Sequence, residues 1–453
     1  MLLRFVVSNF LSIREELEFT MFPYSKLKGH TDHIYKTSKI DLLKVAAIYG
    51  ANGSGKSNLI EALQYLKDMV LDKDNRYKYW PTHFRLSEEC TNAPSKFEIE
   101  FRINNNYYSY GLEVLKNEIV EEWLYSINPK RNTDKLIFSR KRDKENRITL
   151  DVTDKYKKTE KDKILIQLYA EEILDHKTPF IHQVNDKDQY LEIQEAYEWF
   201  SNRLFIIYPD SAVESLNAIL IRNEKFRKFI NEIVPKLDTG ILEIDVKKTP
   251  FEVFFSKNKE IDKQEEIKKD LQYKQNIVLR GERGEILISK EPDGRMTVSQ
   301  VITTHKKKGN ASWGFYLEEE SDGTRRLLEL LPAIEMLANG EIVCVVDEIG
   351  RSLHPTLLKE LLSFSLNQKT EGQFIFTTHE SNLLDLKLFR QDEIWFVEKD
   401  GTGGTKAYSL SEFKPRYDLD IRKGYLNGRF GAIPFLGNLK DLNWEDAEEE
   451  QRV

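Results

Sequence analysis

Residues 44–70 read KVAAIYGANGSGKSNLIEALQYLKDMV: a short apolar run, a glycine-rich turn, then apolar residues at helical spacing. Strand, turn and helix in that order make the βα unit of a phosphate-binding fold. The turn, Gly50-Ala51-Asn52-Gly53-Ser54-Gly55-Lys56-Ser57, is a full G-x-x-x-x-G-K-[ST] match. Its glycines let the chain curl so that successive N–H groups converge on phosphate oxygens, at a helix N-terminus that already favours anions. The pattern assigns nucleotide binding to Gly50, Asn52, Gly53, Ser54, Gly55, Lys56 and Ser57. Lys56 is expected to reach the β- and γ-phosphates and the Ser57 hydroxyl to ligate Mg²⁺. The expected cofactors are therefore ATP and Mg²⁺.

Further along, Ile342-Val343-Cys344-Val345-Val346-Asp347-Glu348 is an apolar strand ending in two carboxylates. Ligands of open α/β sheets bind beyond the C-terminal ends of the strands. Asp347 is thus expected to hold Mg²⁺ through water, and Glu348 to polarise the attacking water as general base or positioning group. Ser321-Asp322-Gly323-Thr324-Arg325 opens a helix. A serine and a glycine there read either as a plain N-cap or as a second anion-binding N-terminus, and in the second reading Ser321 and Gly323 join the nucleotide contacts. Thr377-Thr378-His379 closes another strand; alone His379 reads as a cap or packed imidazole, but its resemblance to the switch histidine of ABC-type ATPases implies a catalytic set with Lys56 and Glu348. His354, in Ser352-Leu353-His354-Pro355, reads either as part of that machinery or as a helix cap.

The chain has 453 residues, and its 25 Phe, 20 Tyr and 6 Trp need a large core, which excludes a disordered or fibrous chain. Net charge is −7, from 68 Lys and Arg against 75 Asp and Glu, so a uniformly basic coat is excluded. Two distant cysteines, Cys90 and Cys344, exclude a disulfide framework and a cysteine zinc site. No apolar run approaches the roughly 18 residues of a membrane span, and MLLRFVVSNFLSI reads as a strand, so a cytoplasmic chain is expected.

The fold class expected is α/β: a P-loop ATPase head with N-terminal antiparallel strands and a mixed α+β insertion between the P-loop and the Ser321 helix. The pattern divides into 1–130, an N-terminal lobe with the P-loop; 131–310, the insertion; 311–440, a C-terminal lobe; and 441–453, an acidic tail. Within the insertion, 160–176, 189–205, 211–235 and the mixed-charge 257–275 read as helices. ILEIDVKK and FEVFFS read as strands, followed by a meander turning at Asp293-Gly294. WGFYLEE then reads as a strand.

The Ser321 segment resembles, in a degenerate S-x-G-T form, the signature loop of ABC-type ATPases. With Gly50–Ser57 as Walker A, Asp347-Glu348 as Walker B, Ser352–Pro355 as D-loop and His379 as switch histidine, the order is that of the class. The chain resembles its SMC/RecF-like branch, whose N-terminal pattern Phe5-Val6-Val7-Ser8-Asn9-Phe10-Leu11-Ser12-Ile13 it shares. ESDGTRRLLELLPAI, VVDEIGRSLHP, FTTHESNLLD and Gly424–Pro434 resemble the RloA and AbiLi-type abortive-infection ATPases of phage defence, and more distantly the AriA subunit of PARIS. The resemblance implies a homodimer or higher homo-oligomer in which each signature helix covers the γ-phosphate held by the other chain. It also implies an ATP-gated sensor or scaffold for a separately encoded effector, often a Toprim-like nuclease. Relatives often carry an acid where this chain has Gly350, so nothing is assigned there. The 74 residues after His379 are too few for a Toprim domain, and Asp418-Leu419-Asp420 lacks an upstream strand glutamate, so no nuclease activity of its own is expected. The alternative is a RecF-like repair ATPase clamping DNA, with Lys306–Lys308 and Lys155–Lys163 as phosphate contacts.

Overall fold

A computed structural model describes residues 1–71, 82–130, 133–209, 216–257, 264–281, 284–306, 312–368, 370–416 and 419–433. The P-loop strand Val45–Tyr49 is buried throughout, and its side chains alternate between two cores. Ala46 and Ile48 enter one, while Val45, Ala47 and Tyr49 enter the other. The Walker B strand Val343–Val346 divides in the same way, with Val343 and Val345 on the first side and Cys344 and Val346 on the second. Strands buried on both faces belong in a parallel sheet covered by layers on either side. That sheet has six strands, in the order Leu204–Ile207, Val343–Val346, Gln373–Thr378, Val45–Tyr49, Ile394–Lys399 and Thr405–Ser409. The first five are parallel and the last runs antiparallel. The C-terminal ends of the P-loop, Walker B and switch strands therefore meet at one edge.

The first core lies under a seven-stranded antiparallel sheet that starts with Leu17–Thr20 and Leu2–Ser8 and ends with Lys135–Arg142 and Ile148–Val152. The helix Lys56–Val70 packs into this core through Leu59, Ile60, Leu63 and Leu66. Leu66 is fully buried, so Leu66→Ala should cost about 2–5 kcal/mol, read as a lower denaturant midpoint at unchanged slope. A loss below about 1 kcal/mol would mean the helix does not pack there. The second core holds the signature helix Asp322–Asn339, through Leu327, Leu331 and Ile334, and the helix Pro355–Leu366, through Leu358, Leu361 and Leu362. Together the two cores make the expected α/β fold, with the P-loop at the C-terminal edge of its parallel sheet.

A five-stranded antiparallel sheet takes four strands from the insertion, beginning with Ile241–Pro250, and its fifth, Ser312–Tyr316, from the segment assigned to the C-terminal lobe. Four of the readings there change. FEVFFS is the helix Phe251–Lys257, because Phe251 and Phe255, four residues apart, enter the same small core. Helix 189–205 ends at Arg203, and Leu204–Ile207 becomes the edge strand beside Walker B. Of the stretch 211–235, residues 211–215 lie outside the described residues and the remainder holds two helices, Leu216–Arg222 and Glu224–Ile233, the second capped by Asn223, whose side chain accepts from Phe226 N at 3.0 Å. WGFYLEE stays extended only to Tyr316 and tightens into a 3₁₀ turn at Leu317–Glu319. The meander is present, and Gly294 takes φ 83° at its turn. The mixed-charge helix spans Gln264–Tyr273, and the rest of its N-terminal part, with Lys307, Lys308, Asp418 and 441–453, lies outside the described residues. No helix among the described residues is long and apolar enough to cross a membrane.

Candidate nucleotide site

The P-loop leaves the buried strand at Gly50, where an added Cβ would lie 2.3 Å from the Val397 carbonyl oxygen and 2.7 Å from Ser54 Oγ. At Gly55 φ is +108°, and a Cβ would lie 2.1 Å from Thr405 Oγ1. Both positions therefore require glycine. Gly55 caps the helix Lys56–Val70, whose first turn carries no acid, so its free N–H groups remain available to an anion. Ser54 Oγ is buried without a hydrogen-bond partner among the described residues. A curled backbone, an acid-free helix start and an orphaned hydroxyl fit a polyphosphate. Asn52 sits exposed at the tip of the turn, and Ser57 half-buried on the first helical turn.

Lys56 is buried, and its Nζ donates to the Gly50 and Ala51 carbonyls at 2.9 and 3.0 Å. Burial lowers its pKa from 10.5 to about 8, against the pull of Asp347 and Glu348. Between about pH 8 and 10.5 the unfolded chain thus holds more of this proton, so the empty fold gains stability as pH rises through that window. Phosphates would supply the missing counter-charge. ATP binding near pH 8.5 should therefore take up protons, seen as binding heats that vary with the ionisation enthalpy of the buffer, and buffer-independent heats would contradict this. Lys56→Ala should lose nucleotide binding altogether.

His379 Nδ1 lies 3.4 Å from Lys56 Nζ, and its Nε2 lies 4.0 Å from Glu348 Oε1. Burial first, and Lys56 second, push the imidazole below its ordinary pKa, so it is neutral at pH 7. An ammonium only donates, so Nδ1 is the acceptor and Nε2 carries the proton toward Glu348 and the P-loop groove. Asp347 is buried, and Thr377 Oγ1 donates to its carboxylate while accepting from Glu348 N at 2.7 Å. Thr377 thereby fixes both acids at once, and Glu348 is held at φ 48°. Left-handed backbone at a glutamate is strained, and here it coincides with the candidate base.

Ser321 caps the signature helix, its Oγ accepting from Thr324 N at 3.2 Å. A Cβ on Gly323 would lie 2.7 Å from Ser352 O, so the helix start abuts the D-loop of its own chain. Ser321 is exposed, and neither it nor Gly323 is among the described residues lining the groove over the P-loop. His354 caps the next helix, Nδ1 accepting from Thr356 N at 3.3 Å, and Asp420 likewise caps Ile421–Leu426 through Lys423 N at 2.9 Å. For His354 this is the cap of the two readings.

Sequence reasoning passed over two supports. Ser12 Oγ bonds Thr405 Oγ1 at 2.7 Å and accepts from Asn58 Nδ2 at 2.6 Å, while Thr405 Oγ1 donates to Ser54 O at 3.0 Å. These side chains brace the P-loop at Ser54 and Gly55. Secondly, the groove, about 970 Å³, is walled by Gly50, Asn52, His379 and Glu398 and also by Tyr425 and Ile433. Ala432 N donates to Glu398 at 2.8 Å, and Tyr425 OH to Ala432 O at 3.0 Å, which holds that segment beside the loop. Its only sequence signal is the glycine-rich run Gly424–Pro434.

A family model described as "AAA domain, putative AbiEii toxin, Type IV TA system" matches residues 45–385. No curated protein matches the chain. Among solved structures, the SMC head bound to the C-winged helix domain of ScpA aligns at 14 % identity and TM-score 0.43, over 91 % of this chain and 99 % of that one. The SMC head domain from Thermotoga maritima aligns at 14 % identity and TM-score 0.37, over 90 % and 98 %. The Pyrococcus furiosus Smc head domain with an extended coiled coil, bound to the C-terminal domain of ScpA, aligns at 14 % and 0.40, over 94 % and 99 %.

Proposed function

The chain belongs to this AAA-domain family of ATPases, and from that premise we propose that it hydrolyses ATP in an SMC/ABC-type homodimer and thereby gates a separately encoded effector in abortive infection. The observation that carries the hydrolytic part is the contact of Lys56, His379 and Glu348 at the edge where the P-loop and Walker B strands end. In this reading Gly50–Ser57 hold the phosphates, and Ser57 and Asp347 hold Mg²⁺. The metal, when bound, supplies positive charge against the β- and γ-phosphates. Glu348 takes the proton of the attacking water, and the His379 Nε2–H donates to the phosphoryl oxygens as charge shifts onto them. Ser321, exposed, and Gly323, half-buried beside it, both lie outside the groove of their own chain and complete the site of the facing protomer.

The defence reading is supported by the family description, which names a toxin and a TA system. The DNA-clamping alternative draws less support from Lys155–Lys163, where Lys155, Lys157 and Lys163 already pair with Glu192, Asp151 and Glu160. The test is to purify tagged Glu348→Gln protein, held with ATP, from its native host. A small nuclease- or toxin-like protein co-eluting at fixed stoichiometry supports the effector reading. DNA with recombination proteins and no such effector would replace it with the repair reading.

A further inference from the structure

At the end of the central sheet opposite the P-loop, residues 29–33 fold against the segment that leads into the strand Ile394–Lys399. His33 is buried, and its Nδ1 lies 3.0 and 3.1 Å from the two carboxylate oxygens of the fully buried Glu393. His30 Nε2 lies 2.9 Å from the Leu386 carbonyl. A carboxylate and a carbonyl only accept, so both of these ring nitrogens carry protons. The ring nitrogens left to act as metal donors are His30 Nδ1 and His33 Nε2. The rings stack at 4.9 Å, and Asp32 Oδ2 lies 3.9 Å from His33 Nε2. One ligand atom from each of His30, Asp32 and His33 falls within 4.8 Å of the others.

We propose that His30, Asp32 and His33 bind a zinc-class divalent cation. Two imidazoles and a carboxylate make a donor set for such an ion, with the fourth position left to water. The outer contacts are those a metal site needs: Glu393 and Leu386 fix the tautomer and aim of each imidazole. The turn is itself anchored. Arg390 Nη1 donates to Gly29 O, Arg390 pairs with Asp392 through Nε and Nη2 at 2.9 and 2.8 Å, and Lys44 N donates to His33 O at 2.9 Å. The ion would stiffen the 29–33 turn, which Glu393, Leu386 and Lys44 hold against the run-up of the P-loop strand and the strand beside it. It is separate from the Mg²⁺ of the nucleotide site.

The test uses the full chain, stripped with a chelator and titrated with Zn²⁺ by calorimetry and with Co²⁺ by visible absorption. The wild type should take one Zn²⁺ per chain with a rise in melting temperature, and His30→Gln and Asp32→Asn should each bind at least about tenfold more weakly. Asp32 is exposed, so Asp32→Asn keeps the fold even if a His33 variant, leaving Glu393 buried and unpaired, does not. Lys56→Ala should bind zinc like the wild type. A wild type that takes no Zn²⁺ at equimolar free metal, or variants that bind as tightly as it does, would overturn the site.

Discussion

Glu348→Gln should leave ATP binding intact and slow hydrolysis by at least about a hundredfold, the scale of a positioned general base. The amide keeps the size of the side chain and removes the proton acceptor, so the P-loop contacts of Lys56 are untouched. Its backbone stays where Thr377 Oγ1 holds it, at φ 48°, because that bond is made to the main-chain N–H. The variant should therefore melt like the wild type and accumulate as an ATP-bound dimer, seen by light scattering with and without nucleotide. Phosphate release at the wild-type rate would remove Glu348 from the base role. Normal hydrolysis would also break the link drawn between its strained backbone and its chemistry, since strain is tolerated only where the surroundings enforce it.

How much of this site was legible follows from how local each signal is. Gly50–Ser57 is read directly because its chemistry is backbone chemistry, and only glycine admits the close approaches to Val397 O and Thr405 Oγ1. The strand ending at Asp347 is legible because burial on both faces leaves an unbroken apolar run. The same argument failed one strand away. Leu204-Phe205-Ile206-Ile207 is equally apolar, but it follows a helix, and four apolar residues have no period of their own. At Phe251–Lys257 the aromatic run looked like a strand until the four-residue spacing of Phe251 and Phe255 set the helix. The P-loop brace was out of reach for a different reason: Ser12, in a turn, and Thr405, at the start of the edge strand, are 393 residues apart. The zinc-class site escaped similarly, since His30-Thr31-Asp32-His33 acquires its meaning only from Leu386 and Glu393, more than 350 residues on.

Mixing Lys56→Ala with Ser321→Arg chains should restore activity that neither has alone. Lys56→Ala spoils its own P-loop but presents an intact signature helix. Ser321→Arg puts a bulky cation at an exposed helix start while keeping its P-loop. Loss of the serine cap costs about 1 kcal/mol, too little to unfold a chain of this size. In a face-to-face dimer each homodimer has two defective sites, whereas the mixed dimer has one site with both defects and one with neither. At equal mixing and random pairing, about a quarter of wild-type turnover should return, because half of the two-fold dimers are mixed and half of their sites are intact. ATPase measured across mixing ratios should peak at equality. No recovery at any ratio, with both variants shown folded and Ser321→Arg still binding ATP, would place the signature helix outside the site of its partner. It would leave each chain to close its own groove, with Tyr425–Ile433 as the wall already in place.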